Sequence, residues 1–340
     1  MNKKWFMLII LVVVMMAGCS QDEEVTGEAA ETETEGVINS DSSETDFPTR
    51  SIDIIAGGGP GGGTDTFARA VARELSDILD VNVNVVNHPG AAGAIATQEL
   101  MSMPADGYTV LATVSDFQIN IAANRTENYL EDGKVSSLAR FHDDMYTILV
   151  KDGEFEDINA FISKATSNPG KVTIGGTASL GIDELTVKSF EKEAGINLNY
   201  VAFENAGQMH TALLGGHVDA LLEEPGPAIS MIEDGSAKML LLFAEERLED
   251  YSDIPTTEEM GWNLTSGMSR GFVMRSEVSD GIKNKLEEAL LEALNTERYQ
   301  EFAESQFLHL KDGWLGSQEY ETFLNDEVNH YESIFLELEE

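Results

Sequence analysis

Six of the seven residues from Gly57 to Gly63 are glycine, and Thr64 and Asp65 follow directly. Residues without side chains let backbone N–H groups crowd around a ligand. A helix starting just after them presents its positive end to the same point, so the stretch is suited to holding an anion. Thr64 adds a hydroxyl, and Asp65 can cap the helix. A second stretch, IGGTASLGIDEL (174–185), places Ser179 between a strand and a helix. That is the setting of a nucleophile elbow, but Gly-x-Ser-x-Gly needs glycine at 177 and Thr177 stands there. An exported α/β hydrolase using Ser179 is therefore the competing reading. The turn from Thr113 to Asn120 is the third candidate.

Other chemistry is excluded by missing parts. A phosphate loop ends in Gly-Lys-Ser/Thr, whereas Gly63-Thr64-Asp65 has no lysine. Gly57-x-Gly59-x-x-Gly62 spells a dinucleotide fingerprint, but the next strand closes on Asn87 and His88 where an acid should hold the ribose, and Pro60 interrupts the motif. His210, His217, His309 and His330 have no metal-ligand spacing on a helix. No metal and no cofactor are expected.

Those loops need elements to carry them. Strands are predicted at Ser51–Ile55, Val81–Asn87, Tyr108–Thr113, Tyr146–Val150, Val172–Gly175, Leu198–Phe203, Val218–Leu222, Met239–Phe243 and Gly271–Met274. Helices are predicted at Thr66–Leu79, Ala92–Met101, Ile158–Ser167, Asp183–Ala194, Gly281–Leu294 and Tyr320–Leu338. In the first helix Phe67, Ala68, Val71, Ala72, Leu75, Ile78 and Leu79 follow helical spacing. The β-α-β-α alternation predicts an α/β fold, with mainly parallel sheets flanked by helices and ligands beyond the carboxyl ends of the strands.

The chain has 340 residues, enough for about two domains. Sixty-one acidic against twenty-one basic residues give a net charge of −40. This excludes a phosphate-binding surface, and so nucleic acid. Lys3 and Lys4 precede an apolar run of twelve, WFMLIILVVVMM, too short to span a bilayer comfortably. Met16-Ala17-Gly18-Cys19 then reads as a lipobox. Cys19 is the only cysteine, so no disulfide can form within the chain. Residues 1–19 are expected to be a lipoprotein signal peptide and Cys19 to be lipidated, leaving the protein outside the cell on a membrane anchor. Residues 20–46 carry ten acidic residues and no basic one, the composition of a disordered tether.

Seven ordered pieces then mark a resemblance. They are Phe47-Pro48-Thr49-Arg50, Pro60-Gly61-Gly62-Gly63-Thr64-Asp65, Asn87-His88-Pro89-Gly90-Ala91-Ala92-Gly93, Asp106-Gly107-Tyr108-Thr109, Asn168-Pro169-Gly170-Lys171, Leu213-Leu214-Gly215-Gly216-His217-Val218-Asp219 and Ile254-Pro255-Thr256-Thr257-Glu258. Over roughly 47–335 the chain resembles the substrate-binding proteins of tripartite tricarboxylate transporters, the Bug family of extracytoplasmic solute receptors. The resemblance implies a two-domain, periplasmic-binding-protein-like Venus flytrap. Domain 1 would be 47–147 plus 262–340 and domain 2 would be 148–261. It also implies a monomer without enzymatic activity that passes a small organic acid to membrane transporter subunits. By position it implies that Gly61, Gly62, Gly63, Thr64 and Asp65 form one jaw of the ligand site. Thr177, Ala178, Ser179, Leu180, Gly181 and Asp183 would form the other, with Ser115 and Phe203 as further contacts. The chain departs from the family pattern at Gly57-Gly58, at Glu204 and at Glu184. The last two add negative charge near the cleft. That weighs against di- or tricarboxylates and leaves monocarboxylates, amino acids and neutral solutes open as ligands. A sensory role remains open beside transport.

Overall fold

The computed structural model describes residues 46–311 and 313–339. The leader, Cys19 and the acidic stretch before Asp46 lie outside the described residues.

Two sheets organise the chain. The first has the order β11-β4-β10-β3-β1-β2 and the second β7-β6-β8-β5-β9. β1 (Ile52–Ala56), β2 (Val83–Asn87) and β3 (Thr109–Val114) are parallel, as are β6 (Thr173–Thr177), β7 (Asn199–Phe203) and β8 (Ala220–Glu223). These parallel halves carry the loops singled out above. β4 (Val135–Asp143), β10 (Ser269–Arg275) and β11 (Leu315–Gly316) add antiparallel pairings to the first sheet, and β5 (Thr147–Lys151) and β9 (Ala237–Leu242) to the second. Each sheet is therefore mixed, because the strands next to the crossings between the sheets run against their neighbours.

β1 shows why the local sequence reads as a strand. Ile52 and Ile54 pack on one face and Ile55 on the other, and all three are at most 3% exposed. A strand covered on both faces tolerates a nearly continuous apolar run. Its loop leads into α1 (Gly63–Leu79), which buries Phe67, Ala68, Val71, Ala72 and Leu75 along one stripe. Phe67 stacks on Phe272 of β10 at 5.2 Å. The chain before β1 is fixed too: Phe47 meets Tyr108 edge-on at 5.0 Å, while Arg50 lies over the Tyr108 ring and pairs with Asp106 at 2.7 Å.

The sheets are joined twice, between β4 and β5 and between β9 and β10. The two connections bond to each other: Asp144 N–H donates to Met268 O (3.1 Å) and Tyr146 N–H to Ser266 O (2.9 Å). They pass so closely that a Cβ on Gly267 would lie 1.8 Å from Asp144 O. Only glycine fits there.

β4 is not among the predicted strands. Its Ser137, Arg140 and His142 break any apolar pattern, yet all three are buried. Each has a partner brought from far along the chain. Ser137 Oγ donates to Ser317 O (2.7 Å), Arg140 Nε to Gly313 O (2.8 Å), and His142 Nε2 shares a hydrogen with Tyr299 OH (2.7 Å). Burial, together with the charges of Arg270 and Arg140, pushes the His142 imidazole down to about 3, so it is neutral.

Candidate functional site

The carboxyl ends of β1 and β3 in the first sheet face those of β6 and β7 in the second across a cavity of about 770 Å³. Its walls are Gly57–Gly59 and Thr64, the loop Pro89–Gly93, Val114 with Asp116 and Phe117, the loop Thr177–Ser179, and Phe203, Glu204 and Asn205. Another cavity, of about 640 Å³, lies beside the crossings against Asp144, Phe243 and Tyr331, away from the strand-to-helix loops. The first cavity gathers all three candidate turns and is the candidate ligand cleft.

The glycine loop is held from behind. Asp65, 2% exposed, accepts from Gly61 N–H (2.9 Å), Arg69 Nε (2.9 Å) and Asn87 Nδ2 (2.9 Å). Asn87 also donates to Gly58 O at 2.9 Å, which ties two of the resemblance motifs together. Burial pushes the Asp65 carboxyl up, but the hydrogen bonds from Arg69, Gly61 and Asn87 outweigh it and hold the group below its ordinary value. Its acceptor positions are spent on the chain itself. Among the described residues, nothing accepts the N–H groups of Gly58 and Gly59, which stay available to an anion together with the first turn of α1.

The second loop is held more tightly. Asp183, 3% exposed, sits in the first turn of α5 (Ile182–Ala194) and accepts from Tyr146 OH (2.6 Å), Thr177 N–H (2.6 Å) and Thr177 Oγ1 (2.9 Å). Burial raises this carboxyl to about 7 despite those bonds. Tyr200 OH donates to Ala178 O (2.8 Å), and Leu180 N–H donates to Glu184 Oε2 (2.7 Å). Arg125, on the first-sheet side, donates to Leu180 O. Ala178 and Leu180 sit at φ of 58° and 62°, where a side chain costs about 1–2 kcal/mol. The surrounding bonds hold that conformation in place.

Of the residues nominated from sequence, Thr64, Thr177, Ala178, Ser179 and Phe203 line the cleft. Gly61 and Gly63 line a separate cavity of about 380 Å³ beside Arg270. Gly62, Asp65, Ser115, Leu180, Gly181 and Asp183 line neither. Asp65 and Asp183 position the two loops. Ser115, 1% exposed, accepts from Ser269 N–H (3.0 Å) and links β3 to β10. Cleft residues that were not nominated include the Pro89–Gly93 loop, Asn205 and Asp116. The first of these was visible as a motif piece. Asp116 carried no signal of its own, because its partner is Ile182, whose N–H it accepts at 2.8 Å.

A fold of two mixed sheets joined twice around a cleft, with paired strand-to-helix loops as its walls, defines a solute receptor of the periplasmic-binding-protein type. The family model described as "Tripartite tricarboxylate transporter family receptor" matches residues 67–339, and the chain belongs to that family. It is 29% identical to protein BugT of Bordetella pertussis over 67% of this chain and 71% of that one. It superposes on a solved structure of the periplasmic binding protein BugD with a TM-score of 0.76 at 20% identity, covering 86% of this chain and 98% of that one. It likewise superposes on MatC of Rhodopseudomonas palustris with bound malate, with a TM-score of 0.75 at 20% identity, over 85% and 99%. The family places the protein outside the cytoplasm, as a receptor that captures a solute for a transporter.

Proposed function

We propose that the chain is a lipid-anchored extracytoplasmic receptor that binds a small organic carboxylate in the cleft and passes it to the membrane subunits of a tripartite transporter. The observation that carries this reading is the pair of open N–H groups at Gly58 and Gly59, next to Thr64 at the start of α1. Neutral amide donors hold an anion without a buried cation, and release it as readily when the lobes part. The lobes are 47–147 with 262–340, and 148–261, and they close as a monomer about the paired crossings. Closure of two lobes lets binding energy drive a motion that a membrane partner reads. A MatC structure holding malate supports a carboxylate as ligand. Among the described residues no histidine lines the cleft beside Ser179, which favours binding over hydrolysis.

A thermal-shift screen of the full chain in mild detergent tests the reading, with mono-, di- and tricarboxylates, amino acids, neutral sugars and NAD as the panel. A ligand at a hundred times its Kd stabilises the native state by about 2.7 kcal/mol. The expected result is a raised melting temperature with at least one carboxylate or amino acid and none with NAD. A response confined to sugars or NAD would remove the anion reading of the glycine loop.

The anchor is tested separately. Cys19→Ala is expected to move the protein from the membrane fraction to the soluble fraction, or to stall it as an unprocessed precursor. Recovery of the variant in the membrane fraction at mature size would reject lipidation at this residue.

A further inference from the structure

The second loop raises a question about ligand class, because three of its backbone donors already hold carboxylates, while Ser179 faces the cleft without one. Thr177 N–H gives to Asp183, Leu180 N–H to Glu184, and Ile182 N–H to Asp116 Oδ1 at 2.8 Å. The last of these crosses the cleft. Asp116 opens α3 (Asp116–Ala122) on the first sheet, and Ile182 is the first residue of α5 on the second. The carboxylate lies over the N-terminus of α5, where the helix dipole favours negative charge. Residue 181 makes room for it: a Cβ on Gly181 would lie 2.7 Å from Asp116 Oδ1.

Resting on the reading that the cleft binds an organic carboxylate, we propose that Asp116 fills the seat a second ligand carboxylate would take, so that the receptor selects monocarboxylates bearing a hydrogen-bond donor at the far end. Three observations converge. The open amides of Gly58 and Gly59 leave one anion seat on the first-sheet side. Among the described residues, no lysine or arginine lines the cleft, whereas Asp116 and Glu204 do. A second ligand carboxylate would meet like charge, and Arg125, the cation that acts on Asp116 from outside the cleft wall, already donates to Leu180 O. Finally, Asp116 Oδ2 accepts no hydrogen bond among the described residues and belongs to the cleft wall, so it is available to a ligand ammonium or hydroxyl.

Calorimetric titration of the full chain in mild detergent tests this with three matched series of three to six carbons: ω-amino acids, ω-hydroxy acids and dicarboxylates. The expected result is that the amino or the hydroxy series binds roughly 100-fold more tightly than the dicarboxylate of equal length. The amino series leads if Asp116 pairs with an ammonium, and the hydroxy series leads if it accepts from a neutral donor. Asp116→Ser empties the seat and should raise dicarboxylate affinity about tenfold or more, while Asp116→Asn, which keeps the seat filled without charge, should gain less. Equal binding of dicarboxylates and monocarboxylates by the unmodified chain overturns the inference and leaves the carboxylate reading standing. So does Asp116→Ser that still binds monocarboxylates but gains nothing for dicarboxylates. Failure of all three series to bind removes the underlying reading, and this inference falls with it.

Discussion

Replacing Arg270 by methionine is expected to destabilise the chain by about 3–5 kcal/mol, read as a lowered midpoint in urea denaturation. Arg270 lies on β10, 4% exposed, and its guanidinium binds Asp144 Oδ2 at 3.1 Å and Glu224 Oε1 at 2.6 Å. Asp144 sits in the first crossing and Glu224 directly after β8, so one cation ties the first sheet, the crossing and the second sheet together. Its Nη2 also lies beneath the start of α1, where a Cβ on Gly63 would come within 2.9 Å. Methionine fills similar volume but leaves two buried carboxylates facing each other without a counter-charge. The penalty is that of the stranded acids and not the net worth of the ion pairs. Two further measurements separate these. Adding Glu224→Gln and Asp144→Asn to Arg270→Met should recover at least half of the loss, because the stranded charges are then gone. Lowering the pH to 5 should narrow the gap to the unmodified chain, because burial holds Asp144 up at about 7 and protonation there removes one of the two stranded charges. A single replacement costing less than about 1 kcal/mol would show that water reaches the cluster and that it does not tie the sheets together.

The glycine loop, α1 and the six parallel strands were legible because their signals are local. Apolar spacing from Phe67 to Leu75 and a glycine run before a helix need no knowledge of the rest of the chain. β4 was not legible, because its polar residues are compatible with a buried strand only once Ser317, Gly313 and Tyr299 arrive from more than 150 residues away. The short helices at Ala206–Leu214 and Pro225–Glu233 sit where the sequence offers little amphipathic contrast over nine residues. The site divides in the same way. Thr64 and the loop at 177–179 follow from strand-to-helix position. The roles of Asp65 and Asp183 do not, since an acid in the first turn of a helix suits a ligand contact and a loop brace equally well. Only the distances to Gly61 and Thr177 show which they are. Asp116 and Arg270 act across the two sheets, and sequence separation hides such pairings.

Acidification from pH 8 to pH 5 is expected to raise the melting temperature, against the usual behaviour of a protein braced by ionised carboxylates. Burial pushes Asp144 up to about 7, with the charge of Glu224 adding to it against Arg270. Burial raises Asp183 to about 7 and Asp116 to about 6. An acid whose folded value is raised binds its proton more tightly in the native state. Its contribution to stability is complete below the unfolded value near 4 and is lost as pH rises through 6 to 7. His142 works the other way. It is held neutral, at about 3, so from its unfolded value near 6.5 downward it costs stability as pH falls. These three acids against one lowered base leave the native state holding about two more protons than the unfolded chain between pH 5 and 6, and stability changes by about 1.4 kcal/mol per proton per pH unit; Glu223 and Glu327, also pushed up by burial, act in the same direction. Asp65, Glu74 and Asp219, all held below their ordinary values, keep their contribution until the pH falls below about 4 and so do not reverse the trend. The net charge of −40 adds in the same direction, because protonation relieves repulsion across the whole surface. Differential scanning calorimetry at pH 5, 6, 7 and 8, each at 0.15 M and 1 M salt, separates the two sources. Surface repulsion is screened at high salt while the buried groups are not. A melting temperature at pH 5 higher by on the order of 5 °C that survives 1 M salt assigns the effect to the buried carboxylates, with Asp116, Asp144 and Asp183 foremost. A rise that disappears in 1 M salt assigns it to the surface, and a fall from pH 7 to pH 5 would mean that these three carboxylates remain ionised in the fold.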